Sequence, residues 1–277
     1  YHEFIEKNYG TKVVTTSVHI NLGIQDLSLL FSALRLVRCE SALFLALSAS
    51  SPFLDERATG MHSQRWAQFP LTPLHVPLFL DHSHYVKWVE EQIHQEIMTN
   101  VRHLWTSVRP NGPNRPHEIN RMEVRICDLI TDCDLLLAVT ALLELRVLSL
   151  FNRPDSLDPL KVSKFSLEEL AQICDMNDSA SAATSLDSTL CHWLDGKEIT
   201  CRDWICELLE DVKPLAIDLD LLHILSPIYD VLSGGNQSIQ WLKAYSSGQS
   251  IQRLMQQGIK QMEVEELEMM TNQAVLG

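Results

Sequence analysis

Two stretches with period-two alternation decide the fold: Lys12-Val-Val-Thr-Thr-Ser-Val-His-Ile-Asn-Leu22 and Arg121-Met-Glu-Val-Arg-Ile-Cys127. In both, apolar side chains alternate with polar ones, which is typical of strands that have one buried face and one wet face. The polar positions include His19 and Asn21 in the first stretch, and Glu123 and Arg125 in the second. We therefore predict an α+β fold in which an antiparallel sheet has helices on its apolar side.

Helical spacing of apolar residues surrounds these strands. Asp26 is a plausible N-cap for a helix that runs to about Leu47, and Asp132 or Asp134 for another that runs to about Leu150. A third helix is predicted from Ser83 to about Val101. The segments between them, 48–81 and 109–118, are rich in proline and read as a long loop and a turn-rich connector.

The pattern changes after Arg153-Pro154, where only helical spacing continues. We expect two parts: residues 1–153 as a sheet-and-helix portion, and residues 154–277 as an all-helical C-terminal region. Ser166 with Glu169 is a capping box that begins one of these helices. The Ser/Ala/Asp-rich residues 177–188 are predicted to form a linker.

Composition excludes several function classes. The chain has 277 residues, with 22 Lys+Arg against 36 Asp+Glu, and this acidic balance argues against a nucleic-acid partner. No apolar run approaches the ~18–20 residues that cross a membrane. Seven cysteines without a CxxC pair favour reduced thiols over a zinc site, although Cys201 and Cys206 could pair under oxidation. We expect a cytoplasmic protein whose partners are small molecules.

One region departs from this acidic balance. Between residues 102 and 125 there are five arginines, no lysine and two acids, Glu118 and Glu123. The arginines are Arg102, Arg109, Arg115, Arg121 and Arg125. Such a local excess of guanidinium groups indicates a site for a small anionic ligand.

The polar strand residues have both structural and functional interpretations. His19 and Asn21 are either a hydrogen-bonded pair on a wet sheet face, or a divalent-cation ligand with an orienting neighbour. Glu123 and Arg125 are either a same-strand ion pair, worth ~0–1 kcal/mol when exposed, or a Mg²⁺ ligand beside a phosphate- or carboxylate-binding guanidinium. Both alternatives remain open from the residues alone, and the neighbouring arginines favour an anionic ligand.

Known motifs narrow the chemistry further. The sequence has no GxxxxGK[ST], GxGxxG, GxSxG or HExxH, which argues against P-loop, dinucleotide-binding, serine-hydrolase and zincin functions. The segment 48–66 combines hydroxyl residues with Arg57, His62, Arg65 and Trp66. This composition predicts a loop that packs over another part of the site instead of lying free on the surface.

Five short motifs occur in a characteristic order: Ser17-Val-His-Ile-Asn-Leu-Gly23, Ala46-Leu-Ser-Ala-Ser-Ser-Pro-Phe53, Thr59-Gly60 with Arg65-Trp66, Trp105-x-x-Val-Arg-Pro110 and Glu123-Val-Arg-x-x-Asp128. This series closely resembles the glutamate–cysteine ligases, most nearly the cyanobacterial type, among the carboxylate–amine ligases of the glutamine-synthetase-like superfamily. The resemblance covers about Lys12–Leu150, and it implies an antiparallel sheet curved into a funnel.

The resemblance also implies a reaction and its residues. The γ-carboxylate of glutamate would attack the γ-phosphate of ATP, and the amine of cysteine would then displace phosphate, as in the first step of glutathione synthesis. Mg²⁺ would lie at His19 and Glu123. Arg125 would contact phosphate and Arg65 the substrate carboxylate, making these two the catalytic arginines. Asn21, Ser51 and Arg109 complete the expected substrate- and phosphate-binding set.

Two departures from the family pattern lead to further expectations. Glu56 stands where the family often has glycine. Family members also carry a further N-terminal segment with the first strands and additional acidic metal ligands, so we expect this chain to be a fragment or a truncated product. The alternatives to glutamate–cysteine ligation are a sister ligase with another amine acceptor and an inactive binding protein.

Overall fold

The structure, a computed structural model, describes the backbone of residues 16–276 and the side chains of residues 16–264, 266 and 267. The first residues of the predicted strand, 12–15, lie outside this range. The strands are β1 (Ile20–Gly23), β2 (Phe53–Leu54), β3 (Arg57–Ala58), β4 (Val108–Asn111), β5 (Arg121–Val124), β6 (Thr189–Cys191) and β7 (Glu198–Thr200). The helices are α1 (Leu27–Ser48), α2 (Gln64–Ala67), α3 (His82–His94), α4 (Cys133–Asn152), α5 (Pro154–Leu157), α6 (Pro159–Val162), α7 (Leu167–Thr184), α8 (Cys201–Asp218), α9 (Ser226–Gly234), α10 (Gln237–Ser246) and α11 (Ile251–Leu276).

The main sheet has three antiparallel strands in the order β1-β5-β4. Its apolar side chains, among them Val108, Met122 and Val124, are buried on one face against helix α1. The predicted architecture, an antiparallel sheet with helices on its apolar side, is confirmed. The first strand begins later than predicted, and among the described residues before it, 16–19, only Ser17 pairs, through an isolated bridge to Asp128.

Helix α1 is the central element of the core. Asp26 caps it by accepting a hydrogen bond from the amide of Leu29, as the sequence predicts. All residues from Leu30 to Ser48 are buried, because the sheet covers one side of the helix and α4 and α7 cover others. A helix enclosed on all sides must bury its polar residues too. Arg38 pairs with Asp178 of α7 and Glu40 with Arg146 of α4, whereas Ser48 donates to the carbonyl of Phe44 within α1 itself.

Two boundaries predicted in the first half are wrong. Helix α3 ends at His94 instead of near Val101, because the chain turns at Glu96 (φ +59°) and the amides of Ile97 and Met98 both bond to the carbonyl of Gln92. The predicted connector 109–118 begins with strand β4. Pro110 disguised this strand, but β4 is an edge strand, where a residue without an amide hydrogen is tolerated.

Other corrections concern loops. The predicted long loop 48–81 contains the β2–β3 hairpin and helix α2. The predicted linker 177–188 is largely helix α7, whose polar residues face α1: Asp178 accepts from Ser41, and Ser181 donates to the carbonyl of Ala42. The C-terminal region is helical as expected, except for the β6–β7 hairpin.

Buried apolar residues form a cluster that runs from Ile20 to Leu232 and includes helices on both sides of residue 153. The division into parts 1–153 and 154–277 stays a prediction. Within residues 16–276, no helix has the length and apolar character needed to cross a membrane. The seven cysteines are free thiols, and Cys206 is exposed.

Candidate functional site

The register of the sheet collects polar side chains on the face opposite α1. Asn21, Glu123 and Arg109 are direct neighbours across the three strands. The adjacent pair on this face is Asn111 and Arg121. We call this surface the polar face, and it consists of His19, Asn21, Arg109, Asn111, Arg121, Glu123 and Arg125. Because side chains alternate along a strand, the period-two pattern placed most of these residues correctly.

Glu123 is the centre of the polar face. Its Oε1 lies 3.1 Å from His19 Nδ1, and its Oε2 accepts hydrogen bonds from Arg109 Nε at 2.7 Å and Asn111 Nδ2 at 3.1 Å. Arg125 Nε is 3.8 Å from Oε1. Burial alone would raise the pKa of this carboxyl, but the bonds from His19 and Arg109 and the nearby positive charges outweigh burial and lower it to about 2. Glu123 is therefore ionised near neutral pH.

Positive charge exceeds negative charge around this carboxylate. Burial, and then repulsion by Arg109, lower the pKa of Arg125 to about 10 against the favourable effect of Glu123. Burial and Arg109 lower the pKa of Arg115 as well. Within residues 16–276, Arg125 Nε and Arg115 Nη1 are buried without a hydrogen-bond acceptor. A bound anion would supply both the missing charge and the missing acceptors.

Arg65 and Ser51 lie in a second cluster, centred on Asp128. Ser51 Oγ donates to Asp128 Oδ2 at 2.7 Å, while Ser63 Oγ and Arg65 Nε donate to Oδ1 at 2.8 and 2.7 Å. Arg65 is 2% exposed and also donates to the carbonyl of Ile126. This cluster fixes the loop after α1 to the end of β5. Arg65 is nevertheless near enough to Arg125 for its charge to contribute to the lowered pKa there.

The structure thus sorts the predicted site residues into groups. His19, Arg109, Glu123 and Arg125 come together, and Asn21 lies beside them, accepting a bond from Arg121 Nε at 3.3 Å. Ser51 and Arg65 belong to the neighbouring Asp128 cluster.

Sequence reasoning missed Asn111, Arg115 and Asp128 as individual site residues. Asn111 follows Arg109 by two positions, the same-face spacing of a strand, but Pro110 obscured that signal. Arg115 belonged to the arginine run, and Asp128 ended the last of the quoted motifs, without either receiving a role.

The polar face contains two side chains that could act as metal ligands, Glu123 and His19. Within the described side chains, no group of three or more His, Cys, Asp and Glu residues is arranged to hold a metal ion. Mg²⁺, however, usually takes only one or two protein carboxylates and completes its shell with water and substrate phosphates. The ionised Glu123 fits that role. An imidazole such as that of His19 is a less usual ligand for Mg²⁺ than for Zn²⁺.

Comparison with known proteins assigns the chain to a protein family. The model of glutamate-cysteine ligase family 2 matches residues 1–268. The chain belongs to this family. The resemblance inferred from the motifs is thereby confirmed, and the matched range extends well beyond Leu150 into the helical region.

Individual relatives are distant in sequence. A protein of Sorangium cellulosum named "Putative glutamate–cysteine ligase 2" is 26% identical over 248 residues, covering 88% of this chain and 63% of the relative. A protein of the same name from Solibacter usitatus is 24% identical, covering 89% and 62%. This chain therefore spans less than two thirds of the length of these relatives.

A solved structure supports the fold independently. The crystal structure of a glutamate–cysteine ligase from Francisella tularensis in complex with AMP matches 95% of this chain and 67% of its own. The TM-score is 0.73 at 12% sequence identity. At this identity the match shows a common fold.

Proposed function

We propose that the protein joins the γ-carboxylate of L-glutamate to the amine of L-cysteine at the expense of ATP, with Mg²⁺, in the first step of glutathione synthesis. One observation carries the proposal: a buried, ionised Glu123 lies on a sheet face where arginines outnumber carboxylates, in a chain of the glutamate–cysteine ligase family. The names of the relatives and the AMP in the Francisella structure support the same substrates.

The reaction explains why such a charge balance is needed. A carboxylate oxygen of glutamate attacks the γ-phosphorus of ATP and ADP leaves, and then the amine nitrogen attacks the resulting acyl phosphate and inorganic phosphate leaves with loss of a proton. The first step brings two anions into contact. Preorganised guanidinium groups lower this repulsion, which is the usual means of accelerating phosphoryl transfer.

The charged residues around Glu123 have separate parts in this proposal. Arg125 and Arg115 offer N–H groups to the transferring phosphate or to the substrate carboxylate. Arg109 donates to Glu123 and to the carbonyl of Leu104, so it mainly orients the carboxylate. Mg²⁺, held by Glu123 with His19, would neutralise phosphate charge.

The Asp128 cluster lies beside the polar face. Ser51 and Arg65 fix the loop after α1, and Arg65 adds positive charge beside Arg125. The role of Arg65 as a direct contact of the substrate carboxylate stays a prediction. Arg65→Ala should raise the glutamate KM, and an unchanged KM would remove Arg65 from the substrate-binding set.

Phosphate release from Mg-ATP tests the proposal. We expect release that requires glutamate and cysteine together, and a loss of at least 100-fold in Glu123→Gln. The matched control is Glu210→Gln, which changes an exposed carboxylate paired with Lys213 and should retain full activity.

The choice of amine separates the alternatives. Release that depends on glutamate and another amine would keep the ligase chemistry but overturn cysteine as acceptor. An absence of release with every amine, in a protein that still binds ATP, would favour an inactive binding protein.

A further inference from the structure

A cavity lies away from the polar face, beyond the end of β5. It has a volume of about 480 Å³, within the ~300–1,000 Å³ range of ordinary ligand sites. Its walls are the end of α1, residues 129–132, and helices α9, α10 and α11. We call it the helical cleft. None of the polar-face residues or the Asp128 cluster lines it.

The charge of the helical cleft is opposite to that of the polar face. Among the described residues that line it, the ionisable ones are Asp132 and Asp230, and there is no Lys, Arg or His. Phosphate and carboxylate ligands would be repelled here. The cleft is therefore unsuited to ATP or glutamate, and its charge favours a cation.

Its hydrogen-bonding groups point to the same class of ligand. Gln237, Gln240, Gln257 and Gln261 line the cleft with carboxamides. Gln240 uses its Nε2 to donate to the carbonyl of Gly235 at 2.9 Å, which directs its amide nitrogen to the protein and leaves the oxygen as the acceptor. Carboxylate and carboxamide oxygens are acceptors for an ammonium group.

The remaining wall is suited to a carbon chain attached to that ammonium. Leu47, Ile130 and Val231 provide apolar surface. Trp241 adds an indole that is held in place by stacking on Phe53, with ring centroids 6.3 Å apart. An indole attracts a cation placed near its ring as well as contacting methylene groups.

We propose that the helical cleft binds a small organic cation, an amine on a short aliphatic body. Its acidic rim recognises the ammonium group, and Trp241 with the apolar wall contacts the carbon chain. The proposal is independent of the ligase reaction, because the cleft and the polar face share no residue.

Three probes with the same four-carbon body test the charge directly: n-butylammonium, n-butanol and butyrate. Isothermal titration of the whole protein should show binding of n-butylammonium at least tenfold tighter than that of either other probe. Butanol or butyrate binding as tightly as n-butylammonium, or no binding of n-butylammonium, would overturn the proposal.

Matched variants locate the site. Asp230→Asn and Asp132→Asn should each weaken n-butylammonium binding at least threefold; asparagine preserves the helix cap that Asp132 supplies to α4, so the fold is retained. Asp155→Asn, at an exposed carboxylate paired with Lys161, is the control and should bind as the wild type does. Equal weakening in all three variants, or unchanged binding in the first two, would contradict the assignment.

Discussion

The polar face and the buried surface of α1 both bury arginines, but they differ in how the charges are matched. Around α1 each guanidinium has carboxylates of its own: Arg35 with Asp158, Arg38 with Asp178 and Asp175, and Arg146 with Glu40 and Asp211. On the polar face Arg109 and Arg125 lie close to the single carboxylate of Glu123, and the charge of the nearby Arg115 adds to theirs. A balanced network holds helices together, whereas the unbalanced one fits our proposal that the polar face binds an anionic ligand.

The largest expected effect comes from removing one arginine from each region. Arg38→Met leaves the buried Asp178 without its partner and should cost about 3–5 kcal/mol of unfolding free energy. Arg125→Met relieves repulsion from Arg109 and should change stability by less than about 1 kcal/mol. Urea unfolding of both variants measures the difference. Equal losses would show that the polar face is a structural network like that of α1.

The second-largest expected effect is on the pH dependence of the unfolding free energy, which should differ between the polar face and the surface of α1. The pKa of Glu123 is lowered to about 2, so its ionisation stabilises the fold above the ordinary carboxyl pKa, and this contribution is lost as pH falls from about 4.5 to 2. The maximum difference in unfolding free energy between the wild type and Glu123→Gln across that window is about 3 kcal/mol. Urea unfolding from pH 7 to 3 should show the difference declining only below about pH 5.

Asp178 provides the matched control for this pH series. Burial raises its pKa to about 6, against the opposing effects of Arg38 and Ser41. A raised pKa stabilises the fold at low pH, and that contribution is lost as pH rises from about 4 to 6. The difference between the wild type and Asp178→Asn should therefore change in the opposite direction. If the unfolding free energies of Glu123→Gln and Asp178→Asn, each relative to the wild type, changed in the same direction with pH, the two regions would not differ as described.

A smaller effect is expected from Asn111, the polar-face residue that sequence reasoning missed. Asn111→Ala removes one hydrogen bond to an ionised carboxylate and should cost about 1.5–3 kcal/mol. It should also raise the pKa of Glu123, which carboxyl NMR titration can follow. An unchanged pKa would mean that Asn111 does not help to hold the carboxylate.

The smallest expected effect is on stability at the β2–β3 hairpin, which lies outside both the polar face and the surface of α1. Asp55 and Glu56 form the turn of the β2–β3 hairpin, and Glu56 has a φ of +60°, in the region that favours glycine. Glu56→Gly should stabilise the protein by about 1 kcal/mol. Gly60→Ala, at a φ of +84°, should destabilise it by a similar amount. Thermal unfolding of both variants checks the signs, and two shifts of the same sign would refute this explanation of the turn.

The sequence predicted well where local chemistry was decisive. Asp26, Asp132 and Ser166 cap the helices that follow them, and the alternation around Glu123 correctly assigned the two faces of β5. These features depend on a few neighbouring residues. The family resemblance then supplied the chemistry that alternation alone could not.

What the sequence did not show depends on distant partners. Residues 177–188 looked like a linker because their serines and acids are typical of exposed turns, yet α1 supplies hydrogen-bond partners for them. The contact of Arg65 with the substrate carboxylate stays a prediction, and its hydrogen bond to Asp128, more than 60 positions away, had no signal in the local sequence. Pairings of this kind appear only when helices and strands are packed together.

The most direct test of the unbalanced charge on the polar face is calorimetric titration of the protein with Mg-ATP. We expect Arg125→Met to weaken binding at least tenfold, while Arg153→Met, at an exposed arginine paired with Asp211, leaves it unchanged. Wild-type affinity in Arg125→Met would contradict the claim that the surplus of arginines on this face is there to bind an anion.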